Sequence, residues 1–163
     1  MGSPKEIIEK AYSEGRKFLL EPEAKELISL YDIPVPKYRV AKERGEVVDL
    51  CREIGYPVVI KIVSPDILHK SDVGGVVVGV KSDEEALEAF DKIMGNVGKA
   101  KEGAEIRGVL VEEMAEPGVE VVVGSTTDPQ FGPVIMFGLG GVFIEVLEDV
   151  TFRIVPIERR DAE

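Results

Sequence analysis

The 163-residue chain is 44% hydrophobic and is therefore able to bury a core without a metal or a disulfide. Its 31 acidic residues outnumber its 20 basic residues and give a formal net charge of −11. This charge repels a phosphate backbone over most of the surface, so we expect no nucleic-acid partner. The sequence has no run of about 18 apolar residues, and its N-terminus is polar. We therefore expect no membrane span and no signal peptide, and a cytoplasmic protein.

Two helices are expected at the N-terminus. The stretch SPKE at residues 3–6 has the pattern of a capping box with proline at the first helical position, and it predicts a helix that reaches about Leu20. A second helix is expected after Pro22 and must end before residues 33–36, because the prolines of IPVP lack the backbone donors that a helix needs. The residues expected to face inward are Ile7, Ile8, Ala11, Tyr12, Phe18, Leu19, Ala24, Leu27, Ile28 and Tyr31.

The middle of the chain combines helical and strand patterns. Residues 46–54 have helical spacing, and Gly55 is placed to end that helix. The apolar run PVVIKIV at residues 57–63 is short and β-branched, as is typical of a strand covered on both faces. The stretch SDEE at residues 82–85 is a second capping box before another helix. Lys61 lies inside the apolar run, and a charged side chain in a strand covered on both faces requires an explanation.

From about residue 105 the pattern changes to strands. They are expected at residues 106–114, 119–125, 134–137 and 152–157, with turns at 126–129 and 138–141. Helix and strand units followed by a run of strands predict an α+β protein in two lobes, joined near residues 112–117.

The only histidine, His69, lies in the polar loop SPDILHKSDVGGV directly after the predicted strand. A lysine at the end of a buried strand, followed by Gly74 and Gly75, offers an ammonium group and unhindered backbone amides to one place, as phosphate oxygens require. The pattern is not a Walker motif, and a plain turn is the commoner origin of a glycine pair. A histidine in such a loop is also typical of an exposed or turn-capping side chain. The local pattern therefore leaves phosphate binding and a structural turn open.

A second candidate segment is VLVEEMAEPGVE at residues 109–120, a β-rich stretch interrupted by acidic residues. Its backbone groups could pair with an adenine edge, Met114 could cover the face of the base, and Glu120 could accept from ribose hydroxyls. A hairpin with solvated acidic side chains explains the same pattern, and the pattern alone favours the hairpin.

Four stretches, in family order, resemble the β subunit of ADP-forming acetyl-CoA synthetase, a nucleotide-binding subunit of the ATP-grasp superfamily. They are EAKELISLYDIPVP, YPVVIKIVSPDILHKSDVGGV, VLVEEMAEPGVEVVVG and TTDPQFGPVIMFGLGGVFIEVLEDVTFR. The resemblance implies an α+β ATP-grasp fold of two lobes with the nucleotide between them. It divides the chain into N-terminal helices that pack on the larger lobe (1–34), a smaller lobe with the phosphate loop (35–111), and a hinge with a partial larger lobe (112–163).

The resemblance also implies nucleotide contacts. Lys61 would grip the phosphates, and the loop that carries Gly74 and Gly75 would close over them. The ribose would be bound at Glu120. The residues at the interlobe hinge that would hold adenine are Glu112, Met114 and Ala115.

His69 matches a histidine that, in such β subunits, takes up a phosphoryl group on its way to ADP. A neutral imidazole is a nucleophile near pH 7, and its phosphoramidate bond is labile enough to pass the group to a diphosphate. Lys61, Lys70, the loop amides and Mg²⁺ would offset the charge of the reacting phosphates. Asp66 or Asp72 is expected to orient the ring or to touch a cation.

The implied reaction converts acetyl-CoA or a related acyl-CoA, with ADP and phosphate, into the free acid, ATP and CoA. The resemblance places the CoA site and a first phosphohistidine on a separate α subunit, so the chain should work only in a hetero-oligomer. ATP or ADP with Mg²⁺ are the expected cofactors. No metal ligand is assigned, because ATP-grasp domains place these ligands on late strands and the β subunit of the family continues past residue 163. Glu145 and Arg153 are lesser candidates for a phosphate or partner contact.

Two alternatives stay open. The first is a subunit of another acyl-CoA ligase, such as a succinate-CoA ligase-like enzyme, or a piece of a fused acyltransferase, because acyl preference would lie with the partner. The second is a non-catalytic module for nucleotide binding or subunit assembly, which the missing metal-bearing strands favour.

Overall fold

A computed structural model describes residues 2–141 and 150–163 of the chain. The backbone divides into two units, Met1–Ala115 and Glu116–Glu163. The division falls inside the predicted junction at residues 112–117. None of the helices in the described part of the chain is long and apolar enough to cross a bilayer.

The first unit is built on a four-stranded sheet. Its elements in chain order are α1 (Pro4–Ser13), α2 (Glu21–Ser29), β1 (Tyr38–Ala41), α3 (Arg44–Ile54), β2 (Val58–Val63), β3 (Val76–Val80), α4 (Asp83–Ala100) and β4 (Gly108–Glu113). The strands lie in the order β1-β4-β2-β3, and each neighbouring pair is antiparallel. The two central strands, β4 and β2, therefore have a hydrogen-bonded neighbour on each side.

Helices α3 and α4 cover one face of this sheet with an apolar core. α3 ends at Ile54 because Gly55 takes a positive φ of 99°, as its sequence position predicted. α4 is capped by Ser82, whose side chain accepts a hydrogen bond from the Glu85 amide at 3.2 Å. The wholly buried residues of this core include Val47, Cys51, Val58, Ile60, Ile62, Ile93, Val97, Val109 and Val111.

The first helix is shorter than predicted. Its capping box is confirmed, because the Glu6 amide donates to Ser3 Oγ at 3.3 Å and the Ser3 amide donates to Glu6 Oε2 at 2.6 Å. α1 nevertheless ends at Ser13 rather than near Leu20. The cause is Gly15, which takes a positive φ of 75° and turns the chain out of the helix.

The two N-terminal helices are joined through Arg16, which is only 6% exposed. Its guanidinium donates to both carboxylate oxygens of Glu23, at 2.7 and 2.8 Å, and to Glu14 Oε2 at 3.0 Å. Four of the residues predicted to face inward are exposed, namely Ile8 (40%), Tyr12 (65%), Phe18 (38%) and Tyr31 (63%). Within α1 the buried residues are Ile7 and Ala11, so its buried stripe is narrower than the apolar pattern suggested.

Helix α2 packs against the opposite face of the sheet. The apolar residues of this contact are Leu20, Val63, Leu110, Tyr38 and Val40. The Tyr38 hydroxyl also donates to the Pro22 carbonyl at 3.1 Å. We expected the N-terminal helices to pack on the larger second lobe. They belong instead to the first unit, because these contacts are made with its own sheet.

In its described residues, the second unit has a three-stranded antiparallel sheet and a short helix near the end of the chain. Its described elements are β5 (Val121–Asp128), β6 (Gly132–Leu139), β7 (Val150–Ile154) and α5 (Arg159–Ala162), with the strands in the order β5-β6-β7. Asp128 sets the turn after β5, because its Oδ1 accepts from the amides of Gln130 and Phe131 at 2.8 and 2.9 Å. The strands predicted at residues 119–125 and 134–137 are present as β5 and β6. β5 begins two residues later than predicted, and both strands extend into the predicted turns at 126–129 and 138–141, which therefore begin later than expected.

Candidate functional site

Lys61 lies in the centre of β2, on the sheet face that α2 covers. It pairs with Leu110 of β4 and with Val76 of β3. Its neighbours Ile60 and Ile62 point to the opposite face and are wholly buried in the core under α3 and α4. The two-residue period of the strand therefore keeps the ammonium group out of the apolar core.

Five charged side chains meet around this position. Lys61 Nζ lies 2.8 Å from Glu21 Oε1 and 2.6 Å from Glu112 Oε2. Lys25 Nζ lies 2.6 Å from Glu112 Oε1, and Lys70 contacts the second carboxylate oxygen of Glu21. Three ammonium groups against two carboxylates leave a net positive charge. We call these five residues the lysine-glutamate cluster.

Contacts within the lysine-glutamate cluster shift the pKa of two of its members. Partial burial alone would lower the pKa of Lys61, but the contacts with Glu112 and Glu21 outweigh burial and raise it. Partial burial would raise the pKa of Glu21, but the contacts with Lys61 and Lys70 outweigh burial and lower it. Both side chains are therefore held in their charged forms at neutral pH.

An open cavity of ≈ 470 Å³ lies beside this cluster. Its lining residues are Lys61, Leu68, His69, Lys70, Ser71, Asp72 and Val76. The His69 side chain is exposed to solvent. The structure thus brings the single histidine and two lysines to one solvent-accessible place.

Asp66 fixes the start of the histidine loop. Its two carboxylate oxygens accept from Lys101 Nζ and from the Glu105 amide, both at 2.7 Å. Because both partners belong to the connection between α4 and β4, the Asp66 carboxylate is not free to orient His69. Of the two aspartates predicted for that role, Asp72 is the one that lines the cavity.

The amides of Gly74 and Gly75 are not unhindered, as we had expected. The Gly74 amide donates to the Ser71 carbonyl at 3.0 Å, and the Gly75 amide donates to the Lys70 carbonyl at 2.7 Å. Gly74 has a positive φ of 64°, and a Cβ there would lie 2.5 Å from Asn96 Nδ2. Both glycines therefore serve the close packing of the loop. Their amides reach a phosphate only if these hydrogen bonds open.

Glu112 lies inside a strand rather than at a hinge. It pairs with Tyr38 of β1 and Val59 of β2, and its side chain is only 6% exposed. Met114 and Ala115 follow the end of β4, where the first unit ends, and both are exposed. The part of Met114 and Ala115 in holding adenine stays a prediction.

Glu120 belongs to the second unit, where it lies against a glycine-rich turn. The Gly140 amide donates to the Glu120 carbonyl at 2.8 Å, and a Cβ on Gly141 would lie 2.7 Å from Glu120 Oε2. The ribose contact of Glu120 stays a prediction. Arg153 is exposed on β7, and Glu145 lies outside the described residues.

Comparison with known proteins gives the family. Residues 10–163 match the ATP-grasp domain family. The chain is 56% identical over 158 residues to the β subunit of ADP-forming acetate-CoA ligase I from Pyrococcus furiosus. The aligned region covers 97% of this chain and 68% of that subunit. The chain belongs to the ATP-grasp family, in the branch of these ligase β subunits. The resemblance found in the sequence is confirmed.

Solved structures confirm the α+β ATP-grasp fold. Acetyl-coenzyme A synthetase 1 of Ca. Korarchaeum cryptofilum, in complex with coenzyme A, Ca-AMPCP and HgCl+, matches with a TM-score of 0.94 at 54% identity over 98% of this chain. A structure of the same synthetase with coenzyme A and Mg-AMPPCP, its phosphohistidine segment pointing towards the nucleotide binding site, matches 98% of this chain with a TM-score of 0.81 at 49% identity. This ATP-grasp chain spans 70% and 68% of those two chains.

Sequence reasoning missed Glu21 and Lys25 as site residues of this ATP-grasp chain. Lys25 Nζ lies 3.9 Å from Glu21 Oε1, one helical turn away. Such spacing is typical of a solvated helix face, and nothing local connects it to β2. The signal that could have found these residues is Lys61 itself, because a lysine in a buried strand needs a carboxylate from elsewhere in the chain.

The described residues contain no ready-made cluster of metal-binding side chains. Within residues 2–141 and 150–163, no three His, Cys, Asp or Glu side chains are grouped so that they could hold a metal ion. The carboxylates of Glu21 and Glu112 are already bound by lysines. We therefore assign no metal ligand in this ATP-grasp chain.

Proposed function

We propose that this chain is the nucleotide-binding subunit of an ADP-forming acetyl-CoA synthetase, in which His69 carries a phosphoryl group to ADP. The observation that carries the proposal is the cavity that exposed His69 shares with the ammonium groups of Lys61 and Lys70. A nucleophile beside two cations suits phosphoryl transfer, which depends mainly on positioning and charge neutralisation. Membership of the ligase β-subunit branch supports the same function.

The proposed step is transfer from phosphorylated His69 to ADP. A terminal phosphate oxygen of ADP attacks the phosphorus atom, and the new P–O bond forms as the P–N bond to the imidazole breaks. The ring leaves as neutral imidazole once a proton has reached its other nitrogen. Lys61 and Lys70 reduce the repulsion between the two phosphate groups as they approach. The same histidine accepts a phosphoryl group from ATP in the reverse direction.

The remaining nucleotide contacts are part of the same proposal. The exposed Met114 and Ala115 hold adenine, and the exposed carboxylate of Glu120 accepts from ribose. Glu112 serves instead as the counter-ion of Lys61, because its buried carboxylate is already bound by lysines. The loop with Gly74 and Gly75 closes over the phosphates after its internal hydrogen bonds open.

The proposal includes a partner subunit and Mg²⁺. The Pyrococcus furiosus relative is named as a β subunit, and the Korarchaeum synthetase was solved with coenzyme A and Mg-AMPPCP. We infer that this chain works in a hetero-oligomer with a CoA-binding α subunit, that Mg²⁺ accompanies the nucleotide, and that the α subunit selects the acyl group.

Phosphoryl transfer is tested with ATP radiolabelled on its γ-phosphate. The chain is incubated with this ATP and Mg²⁺, with and without the α subunit. We expect label that is lost in acid, that is recovered as ATP when ADP is added, and that is absent from His69→Asn. Ser71→Ala is the matched control, since Ser71 lines the same cavity and offers a hydroxyl as the competing nucleophile.

Two results would contradict the proposal. Label that persists in His69→Asn places the phosphoryl group on another residue. Nucleotide binding without label, even with the α subunit, identifies a binding or assembly module. A panel of acyl-CoA substrates, assayed with the α subunit, then separates an acetyl-CoA synthetase from a ligase for another acyl group.

A further inference from the structure

One carboxylate occupies both lysines of the proposed phosphate site. Glu21 Oε1 lies 2.8 Å from Lys61 Nζ, and Glu21 Oε2 contacts Lys70. These two lysines line the cavity together with His69. The cations that would bind nucleotide phosphates are therefore already in contact with a group that presents two oxygens, as a phosphate does.

The two carboxylates of the lysine-glutamate cluster differ in their freedom to move. Glu112 lies inside β4 between two strands, and its side chain is only 6% exposed. Glu21 is the first residue of α2, and its side chain is 22% exposed. Because its side chain is partly exposed, Glu21 is the freer of the two carboxylates to turn away from the lysines by a change of rotamer. Lys61 keeps Glu112 as a partner when this happens.

We propose that Glu21 is a displaceable internal counter-ion, which holds Lys61 and Lys70 until the phosphates of a nucleotide displace it. The inference rests on the proposed function, because it requires phosphates to bind at these two lysines. Glu21 then weakens the binding of every ligand that carries phosphate. It also ties Lys70, the neighbour of His69, to α2 until a nucleotide arrives. Nucleotide binding thereby releases one restraint on the histidine loop.

The test compares ADP with adenosine as ligands of wild type, Glu21→Gln and Glu26→Gln, by isothermal titration calorimetry. We expect Glu21→Gln to bind ADP about tenfold more tightly, because the competing charged contacts are lost. Adenosine affinity should change by less than about twofold, since adenosine has no phosphate to compete. Glu26→Gln is the matched control, because it removes the same charge from the same helix and its carboxylate accepts from the Gly2 amide instead.

The outcomes separate the displacement from the proposed function. If wild type binds ADP and Glu21→Gln binds it equally or more weakly, Glu21 positions the lysines for phosphate and the displacement is wrong. Equal tightening for ADP and adenosine, or equal tightening in Glu26→Gln, also contradicts it. If wild type does not bind ADP at all, the proposed function fails and the displacement fails with it.

A measurement on wild type avoids any dependence on the folding of a variant. The ¹³C resonance of the Glu21 side-chain carboxyl is followed against pH with and without ADP, and is assigned from the spectrum of Glu21→Gln. Contacts with the two lysines lower the pKa of Glu21 in the protein alone. We expect this pKa to rise when ADP is bound, because the lysines then face phosphate. A pKa that stays low in the ADP complex overturns the proposal.

Discussion

The two faces of the first sheet differ in composition and role although the same strands form both. The face under α3 and α4 carries wholly buried aliphatic residues. The face under α2 has a much smaller apolar contact and carries the lysine-glutamate cluster. Along β2 the side chains alternate between these faces, so one short strand supplies Ile60 to the core and Lys61 to the site. Adjacent residues of β2 therefore serve the core on one face and the candidate site on the other.

This separation explains why a charged residue is tolerated in so apolar a strand. Moving a lysine into the α3 and α4 core would require a buried charge without a partner, which is strongly unfavourable. On the α2 face, Glu21 and Glu112 are within 2.8 Å of Lys61 Nζ, and the cavity keeps that side partly open. A site of this kind can exchange one counter-ion for another without disturbing the core on the other side.

The largest effect on stability should come from the sheet face under α3 and α4, here called the apolar face. Val58 is wholly buried there, and Val58→Ala should lower the free energy of unfolding by about 2.5 kcal/mol. Val59 is the adjacent residue on the other face and is only partly buried, so Val59→Ala should cost about 1 kcal/mol. Urea denaturation measures both losses. Equal losses would show that the two faces contribute alike.

The next effect is on nucleotide affinity. It comes from the sheet face under α2, here called the charged face because it carries the lysine-glutamate cluster. Lys61→Met should weaken ADP binding about 30-fold, because a charge-assisted phosphate contact is lost. Lys25→Met removes the same charge from the same cluster but lies outside the cavity lining, so its effect should stay within about threefold. Calorimetric titration of both variants with ADP makes the comparison, after circular dichroism has shown that they are folded. Similar losses in the two variants would mean that net charge, rather than the position of Lys61, governs binding.

Local elements of the fold could be predicted because their signals are local. The Ser3 capping box and the helix end at Gly55 depend on residues within one turn, and both are confirmed. The end of α1 was missed although Gly15 marks it, because the apolar stripe beyond it was taken as helical. The packing of the N-terminal helices was wrong for a different reason. It depends on a cluster that brings Leu20 together with Val63 and Leu110, which no local pattern reveals.

The candidate site could be predicted only in part for the same reason. His69 lies in the loop that directly follows the strand of Lys61, so their common cavity follows from chain order. The partners that set their properties come from distant segments. Glu21 reaches Lys61 from α2, and Lys101 binds Asp66 from the end of α4. The glycine amides were also misjudged, because their acceptors inside the loop depend on its exact backbone path.

A smaller effect on the free energy of unfolding should distinguish close packing at Gly74, in the histidine loop, from backbone strain alone at Gly79. Gly74 and Gly79 both have positive φ, 64° and 75°, but only at Gly74 would an added Cβ have a neighbour within 4 Å, namely the Asn96 side chain. Gly79→Ala should cost about 1 kcal/mol from strain alone. Gly74→Ala should cost about 2 kcal/mol, because it also breaks the hydrogen bond from Asn96 to the Gly74 carbonyl. Urea denaturation tests the pair, and equal costs would mean that Asn96 adjusts without loss.

The smallest effect is the response of the charged face to acid. Contacts with Lys61 and Lys70 outweigh burial and lower the pKa of Glu21 below the ordinary glutamate value of 4.5. A lowered folded-state pKa means that Glu21 contributes its full stability above pH 4.5 and loses it as the pH falls through the folded-state pKa. The difference in unfolding free energy between wild type and Glu21→Gln should therefore be constant near neutral pH and shrink in acid.

The apolar face provides the control for this pH series. Val58→Ala changes no charge, so its cost should stay nearly constant while the cost of Glu21→Gln shrinks, provided that the fold persists in acid. Urea denaturation of the three proteins at each pH measures both trends. A Glu21→Gln cost that grows in acid would mean that the folded protein prefers protonated Glu21, in which case the lysines do not hold its carboxylate. Parallel trends in the two variants would instead place the acid response in the core. The two faces would then not differ in their response to pH.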